Sequence, residues 1–305
     1  MFNRKKKLIS SFLCVAVAAS IWSGQANSLD VSAKQKKMTV NDIKASYVVE
    51  DAETGEIYAS HKANKKIYPA STTKVLTICT IVRRMEKKNV QMNDYVKITK
   101  KMIDSVPSGS KCAYLKKKRK YSYKDLIGLV IVCSAADAVQ ALNKSLYKTS
   151  RLFVKDLNKM ASDIGMTKSY FDNGIGLDKG NGFKKIHTTA NDMMKLAKYA
   201  SDNCPIINKM SKKKRIRVYD KSHKYLHSFR NTNMFYRGYK YSKKKYEIVG
   251  MKTGYTRIAR NTLLTKTKAV GTGNRSLLVV VFNIGGNENV YEDTRLLLDA
   301  YSSAR

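Results

Sequence analysis

A serine and a lysine three residues apart, Ser71 and Lys74 in Tyr68-Pro69-Ala70-Ser71-Thr72-Thr73-Lys74, open an apolar stretch of helical period. On a helix, positions i and i+3 share a face. A serine hydroxyl needs a base to become a nucleophile, and a lysine amine serves when its pKa is lowered. Burial and a second cation nearby both lower it. The helix N-terminus also favours negative charge developing at the serine. Ser-x-x-Lys alone says little in a lysine-rich chain, since it recurs at Ser108, Ser145, Ser211 and Ser242. Ser71 is set apart by the Pro-Ala before it, the apolar helix after it and two partner segments. Met251-Lys252-Thr253-Gly254-Tyr255-Thr256 holds the chain's one Lys-Thr-Gly, and on a strand Lys252 and Gly254 point to the same face. Lys252 would supply the second cation, and Gly254 would leave room for a substrate backbone. In Cys133-Ser134-Ala135-Ala136-Asp137, Ser134 offers a proton shuttle to a leaving amine, or the N-cap of a helix, or both.

The elements that must carry these residues follow from hydrophobic period and turn chemistry. Strand-like runs at 45–49 and 57–59 flank a turn with Gly55 and predict a β-hairpin. Helical period covers 72–85, 124–146, 153–164 and 190–200. Thr189 and Asp192 fit a capping box, in which the threonine oxygen and the carboxylate each take a free backbone N–H. Strands return at 246–254, 261–265 and 276–282, and a helix closes at 292–301. Strands at both chain ends with helices between them predict an α/β (α+β) sandwich: one antiparallel sheet built from both termini, with a helical lobe inserted.

The chain has 305 residues, 43% of them hydrophobic, enough for a substantial core. Arg4, Lys5, Lys6 and Lys7, then an apolar run from 8 to 22 and Gly24-Gln25-Ala26, read as a secretory signal peptide over 1–26. The run is shorter than the ~20 residues a spanning helix needs, which favours cleavage over anchoring. Residues 27–44 read as a flexible lead-in and 45–305 as the catalytic domain, with no second domain expected after it. The net charge of +36 argues for a polyanionic neighbour. With an export signal, that points to anionic wall polymers or a membrane surface rather than nucleic acid; a solvated basic face is the plainer alternative. The cysteines outside the signal show no zinc pattern. Cys79 and Cys133 sit in apolar stretches as buried thiols, and the spacing leaves a Cys112–Cys204 bridge open. His61, His187, His223 and His227 show no ligand spacing.

The three segments, in this order, resemble the penicillin-binding D-alanyl-D-alanine carboxypeptidases of the low-molecular-weight serine type. Further likeness lies in Asp125-Leu126-Ile127, Asn173 with Gly176-Leu177-Asp178, His187-Thr188-Thr189-Ala190, Asn231-Thr232-Asn233 and the ending Tyr291 to Asp299. The resemblance implies a β-lactamase/DD-peptidase-like fold and no metal or organic cofactor. Its substrate would be the peptidoglycan stem peptide, with β-lactams as covalent inhibitors of an extracytoplasmic enzyme. By position, Ser71 would be acylated, Lys74 would be its base and Ser134 the proton relay. Lys252 and Thr253 would hold the substrate carboxylate, and the N–H groups of Ser71 and Tyr255 would form the oxyanion hole. Two positions depart from the family: Ala136 stands where its second motif usually has Asn, and Val290 where many members have a carboxylate-binding Arg. These departures and the charge motivate a rival reading, a degenerate wall-binding protein. A class A β-lactamase is disfavoured, because its deacylating glutamate has no counterpart: no Glu occurs between Glu86 and Glu247.

Overall fold

The computed structural model describes residues 38–283 and 289–303. The signal-peptide stretch 1–26 and the lead-in up to 37 lie outside the described residues. The first hairpin pairs β1 (Ser46–Asp51) with β2 (Ile57–His61), and α1 (Thr73–Lys87) follows. The chain then runs through β3 (Tyr95–Lys97), α2 (Lys100–Asp104), β4 (Lys120–Ser122), α3 (Tyr123–Cys133), α4 (Ala136–Leu146), α5 (Ser150–Asp163), α6 (Ala190–Asn203) and α7 (Pro205–Ser211). A second hairpin, β5 (Arg215–Tyr219) with β6 (Tyr225–Arg230), precedes β7 (Tyr246–Thr256), β8 (Arg260–Ala269), β9 (Leu277–Phe282) and α8 (Val290–Tyr301). The main sheet has the order β2-β1-β9-β8-β7, antiparallel at every pairing. It is the predicted sheet of both chain ends with helices inserted.

Central β9 explains why its sequence is apolar without alternation. Leu278, Val280 and Phe282 face the core shared with the helical lobe, while Leu277, Val279 and Val281 face a second core with Leu297 and Leu298 of α8. A strand covered on both faces reads as a continuous hydrophobic run. Burying each such side chain contributes about 1.5–3 kcal/mol. Ile43 belongs to this second core, so packing reaches back into the stretch read as lead-in. No helix among the described residues is long and apolar enough to cross a membrane.

The structure corrects two expectations, the single helix over 124–146 and the Asp192 half of the capping box, and closes two alternatives left open, the Ser134 N-cap and the Cys112–Cys204 bridge. The helix expected over 124–146 is two helices, because Ser134 adopts a left-handed conformation (φ 65°) that ends α3. Ser134 is not an N-cap: Ala135 occupies that place on α4, without a side-chain cap. The Thr189 oxygen accepts from Asp192 N–H as expected, but the Asp192 carboxylate turns away to accept from Lys168 N–H and the Ser169 hydroxyl. Cys112 and Cys204 are not bridged; all four described cysteines are free thiols, and the buried Cys204 lies beside Cys79.

Candidate active site

Ser71 lies in a single 3-10 turn, Ala70–Thr72, that leads into α1. Two contacts fix the turn. The Pro69 carbonyl accepts from Thr72 N–H (3.3 Å) and from the Thr262 hydroxyl of β8 (3.2 Å). Strand β7 presses against it at Gly254, where a Cβ would stand 2.8 Å from Ser71 N and 3.0 Å from Thr72 N. Gly254 therefore makes room for the Thr262 hydroxyl and for the backbone of Ser71 and Thr72, a different reason for glycine from the substrate clearance expected above.

One turn along α1, Lys74 is 2% exposed, and its Nζ lies 2.7 Å from Ser71 Oγ and 2.9 Å from the Ile175 carbonyl. Burial, and then the charge of Lys252, hold the Lys74 pKa well below the usual lysine value. Lys252 is itself 1% exposed, and burial pushes it down to about 7. Its Nζ donates to the Thr253 carbonyl (2.8 Å). Thus the second cation expected from the sequence lies close enough to act on the base.

The Ile175 carbonyl is delivered by a loop that Asn173 organises. Asn173 Oδ1 accepts from the N–H groups of Ile175, Gly176 and Leu177, and its amide donates to the Leu177 carbonyl. Gly176 (φ +87°) abuts Ala70, where any Cβ would overlap the Ala70 carbonyl. Asp178 closes the loop onto the end of β7 by accepting from the Thr256 hydroxyl.

On the far wall, Ser134 projects from the break between α3 and α4, 5% exposed. The segment before β4 is pinned over it. Ala136 N–H donates to the Lys111 carbonyl (2.8 Å), and the Asp137 carboxylate accepts from the N–H groups of Ala113 and Leu115. Thr232, hydrogen-bonded through its N–H to the Val132 carbonyl, sets its hydroxyl 2.7 Å from that of Thr253.

These parts enclose a cleft of about 460 Å³ lined by Ser71, Lys74, Ser134, Thr253, Gly254 and Tyr255 among others. Of the seven residues singled out in the sequence, only Lys252 lies behind this lining. Ala136 is fully buried and contributes a backbone N–H, not a side chain. Val290 is 3% exposed and packs in the second core, while its neighbour Tyr291 reaches the cleft. Neither departure places a charge in the site. Lys111 lines the cleft as an exposed cation, and among the described residues the lining contains no carboxylate or imidazole. Among the described residues no group of three His, Cys, Asp or Glu side chains comes together to hold a metal. Sequence reasoning missed Lys111 and the structural work of Asn173 and Asp137. An Asn immediately before a Gly-x-Gly turn is the one signal that could have pointed to the loop.

A serine at a helix N-terminus, with a buried lysine one turn on and a lysine-bearing edge strand alongside, is the arrangement that serine–lysine acyl-transfer chemistry requires. The sequence profile of the peptidase S11 family, D-alanyl-D-alanine carboxypeptidase, matches residues 31–285, and the chain belongs to that family. It is 25% identical over 273 residues to the D-alanyl-D-alanine carboxypeptidase DacF of Bacillus subtilis, covering 88% of this chain and 64% of the relative. It is also 25% identical over 285 residues to the DacA carboxypeptidase of Haemophilus influenzae, covering 93% and 66%. The chain thus spans slightly under two thirds of either relative. A D-alanyl-D-alanine endopeptidase of Pseudomonas aeruginosa matches at 25% identity over 97% of this chain and 88% of its own length. Among solved structures, penicillin binding protein 5 of Haemophilus influenzae superposes with TM-score 0.69 at 25% identity, covering 83% of this chain and 69% of that one. A D-alanyl-D-alanine carboxypeptidase from Mycobacterium tuberculosis gives TM-score 0.69 at 22% identity, over 83% and 89%, which bears on the fold.

Proposed function

We propose that the protein is a serine-type D-alanyl-D-alanine carboxypeptidase that removes the terminal D-alanine from peptidoglycan stem peptides outside the membrane. The observation that carries this reading is the Lys74 amine, fully buried and 2.7 Å from the Ser71 hydroxyl. A neutral amine at that distance takes the proton as Ser71 Oγ attacks the penultimate carbonyl. The oxyanion then faces the N–H groups of Ser71 and Tyr255, and such donors contribute about 3–4 kcal/mol. The C–N bond breaks, the leaving D-alanine amine takes a proton through Ser134, and water later cleaves the Ser71 ester. β7 is the edge of its sheet, so a substrate backbone can lie along it as an added strand. The Thr232 and Thr253 hydroxyls receive the substrate carboxylate. Among the described residues the lining offers no carboxylate to activate water, which supports a long-lived penicillin adduct on Ser71. Cleavage of the 1–26 segment releases the protein and removes four of the positive charges (Arg4, Lys5, Lys6 and Lys7) from the full-chain +36, and the remaining +32 holds it near anionic wall polymers.

A second reading is favoured by Ala136 and Val290: a degenerate protein that binds wall and does not acylate. Incubation with a fluorescent penicillin, read by intact mass, separates the two. The wild type gains one adduct and Ser71→Ala none, after which D-alanine release from a stem pentapeptide fixes the substrate. A folded wild type that never acquires the adduct makes the binding reading the correct one.

A further inference from the structure

The β5–β6 hairpin carries a feature the catalytic reading does not use. Its inner face, Ile216 and Val218, packs on α3, so close that a Cβ at Gly128 would meet Ile216 at 2.4 Å. The outer face pairs Arg215 with Arg230, Arg217 with Ser228 and Tyr219 with Tyr225 in register. All three guanidinium groups are exposed, and the Arg215 guanidinium donates to the Ser228 hydroxyl (3.0 Å). Like charges directly opposite each other across a strand pair are destabilising. Among the described residues none of the three arginines has a carboxylate partner. The carboxylate of the hairpin's own turn, Asp220, is 8% exposed and already engaged by Arg119 and by the N–H groups of Ser222 and Lys224. That ion pair, together with the Tyr121–His227 hydrogen bond, docks the basic run 116–120 against the hairpin. Two separate charge runs of the sequence thus meet at one hairpin.

We propose that this face is a docking strip for a linear polyol-phosphate polymer of the cell wall. The inference rests on the extracytoplasmic reading above. Arg215 and Arg217 recur every second residue, about 7 Å apart along the strand. That spacing suits charge repeated along a chain better than a single head group, and arginine grips phosphate oxygens bidentately. Tyr219 and Tyr225, 43% and 53% exposed with ring centroids 6.0 Å apart, end the strip with amphipathic rings for the polyol carbons. Beyond Arg230 the chain turns directly into Thr232 of the cleft wall, so a polymer on the strip leads to the mouth of the site.

The test measures binding of the full chain to poly(glycerol phosphate) across a salt series. It compares the wild type with Arg215→Gln/Arg217→Gln/Arg230→Gln and with Lys240→Gln/Lys243→Gln/Lys244→Gln, which removes the same charge from another exposed segment. The arginine variant loses about tenfold or more in affinity, and its slope of log affinity against log salt falls by about two to three. The lysine variant stays close to wild type. Equal losses in both variants would reduce the strip to bulk charge and overturn the proposal. Binding to phosphatidylglycerol vesicles without binding to the polymer would overturn it too. Thermal melts confirm folding. Ser71→Ala binds the polymer as wild type does, so failure of the catalytic reading and failure of this one are read separately.

Discussion

As the proposed base, Lys74 must be uncharged when Ser71 loses its proton, and two burials favour this. Its own removes solvation from the ammonium form, and the neighbouring Lys252 charge lowers it further. Acylation should therefore persist well below the ordinary lysine pKa and fall away as acid protonates Lys74. Replacing Lys252 with Met removes the repulsion and raises the Lys74 pKa, so the acid limb of the penicillin acylation rate should move to higher pH. An unmoved limb in that variant would mean Lys252 does not tune the base. The same lysine leaves a mark on stability. Its folded pKa of about 7 lies below its unfolded value of about 10.4, so between them the unfolded chain binds more protons. Stability then rises with pH across that window, by at most about 1.4 kcal/mol per unit, and is level below it. Urea midpoints of wild type and Lys252→Met at about pH 7 and about pH 9 check the sign: the wild type should gain on the variant.

At the scale of elements, the site is a set of junctions rather than of elements themselves. The Asn173 loop bridges α5 and α6 and delivers a carbonyl to Lys74. Asn173→Ala orphans three N–H groups, each costing about 1–3 kcal/mol if it stays dry, and frees the Ile175 carbonyl. Both the melting temperature and the acylation rate should drop. Asn173→Asp, which keeps the acceptor oxygen, should lose less of each, and equal losses in the two would refute the loop's role as positioning device. Junctions were also where the sequence was least readable. The long strands β7–β9 and helices α1, α5 and α6 follow from hydrophobic period, because burial of one face imposes it. Ser71, Lys74 and Lys252 were legible because their spacing maps onto one helix face and one strand face. The break at Ser134 was not, since 124–146 keeps an apolar period across a residue whose backbone changes hand. Hairpin β5–β6 was hidden because its exposed positions are arginines in a lysine-rich region. Gly254 was read as space for substrate because a sequence does not reveal which backbone will fill the gap.

Over the whole molecule, the closing of one sheet from both chain ends means that nucleophile and edge strand, 181 positions apart between Ser71 and Lys252, meet only in the finished fold. The fold must do so while carrying 59 basic against 23 acidic residues. Pairs such as Arg83–Asp163 and Arg295 with Glu292 and Asp299 engage acidic side chains at the surface. Each such exposed pair contributes little, about 0–1 kcal/mol, and the excess cations have no acids left to meet. Self-repulsion of that excess disfavours the compact state, and salt screens it over a Debye length of about 10 Å at 0.1 M. The melting temperature should therefore rise as sodium chloride goes from about 0.02 to about 0.5 M, because screening relieves more repulsion than it costs in weak pairs. A flat or falling series would show the cations to be locally compensated. The opposite trend is expected for polymer binding, which salt weakens; one titration that stabilises the fold while releasing the ligand would attribute the charge to recognition at the expense of stability.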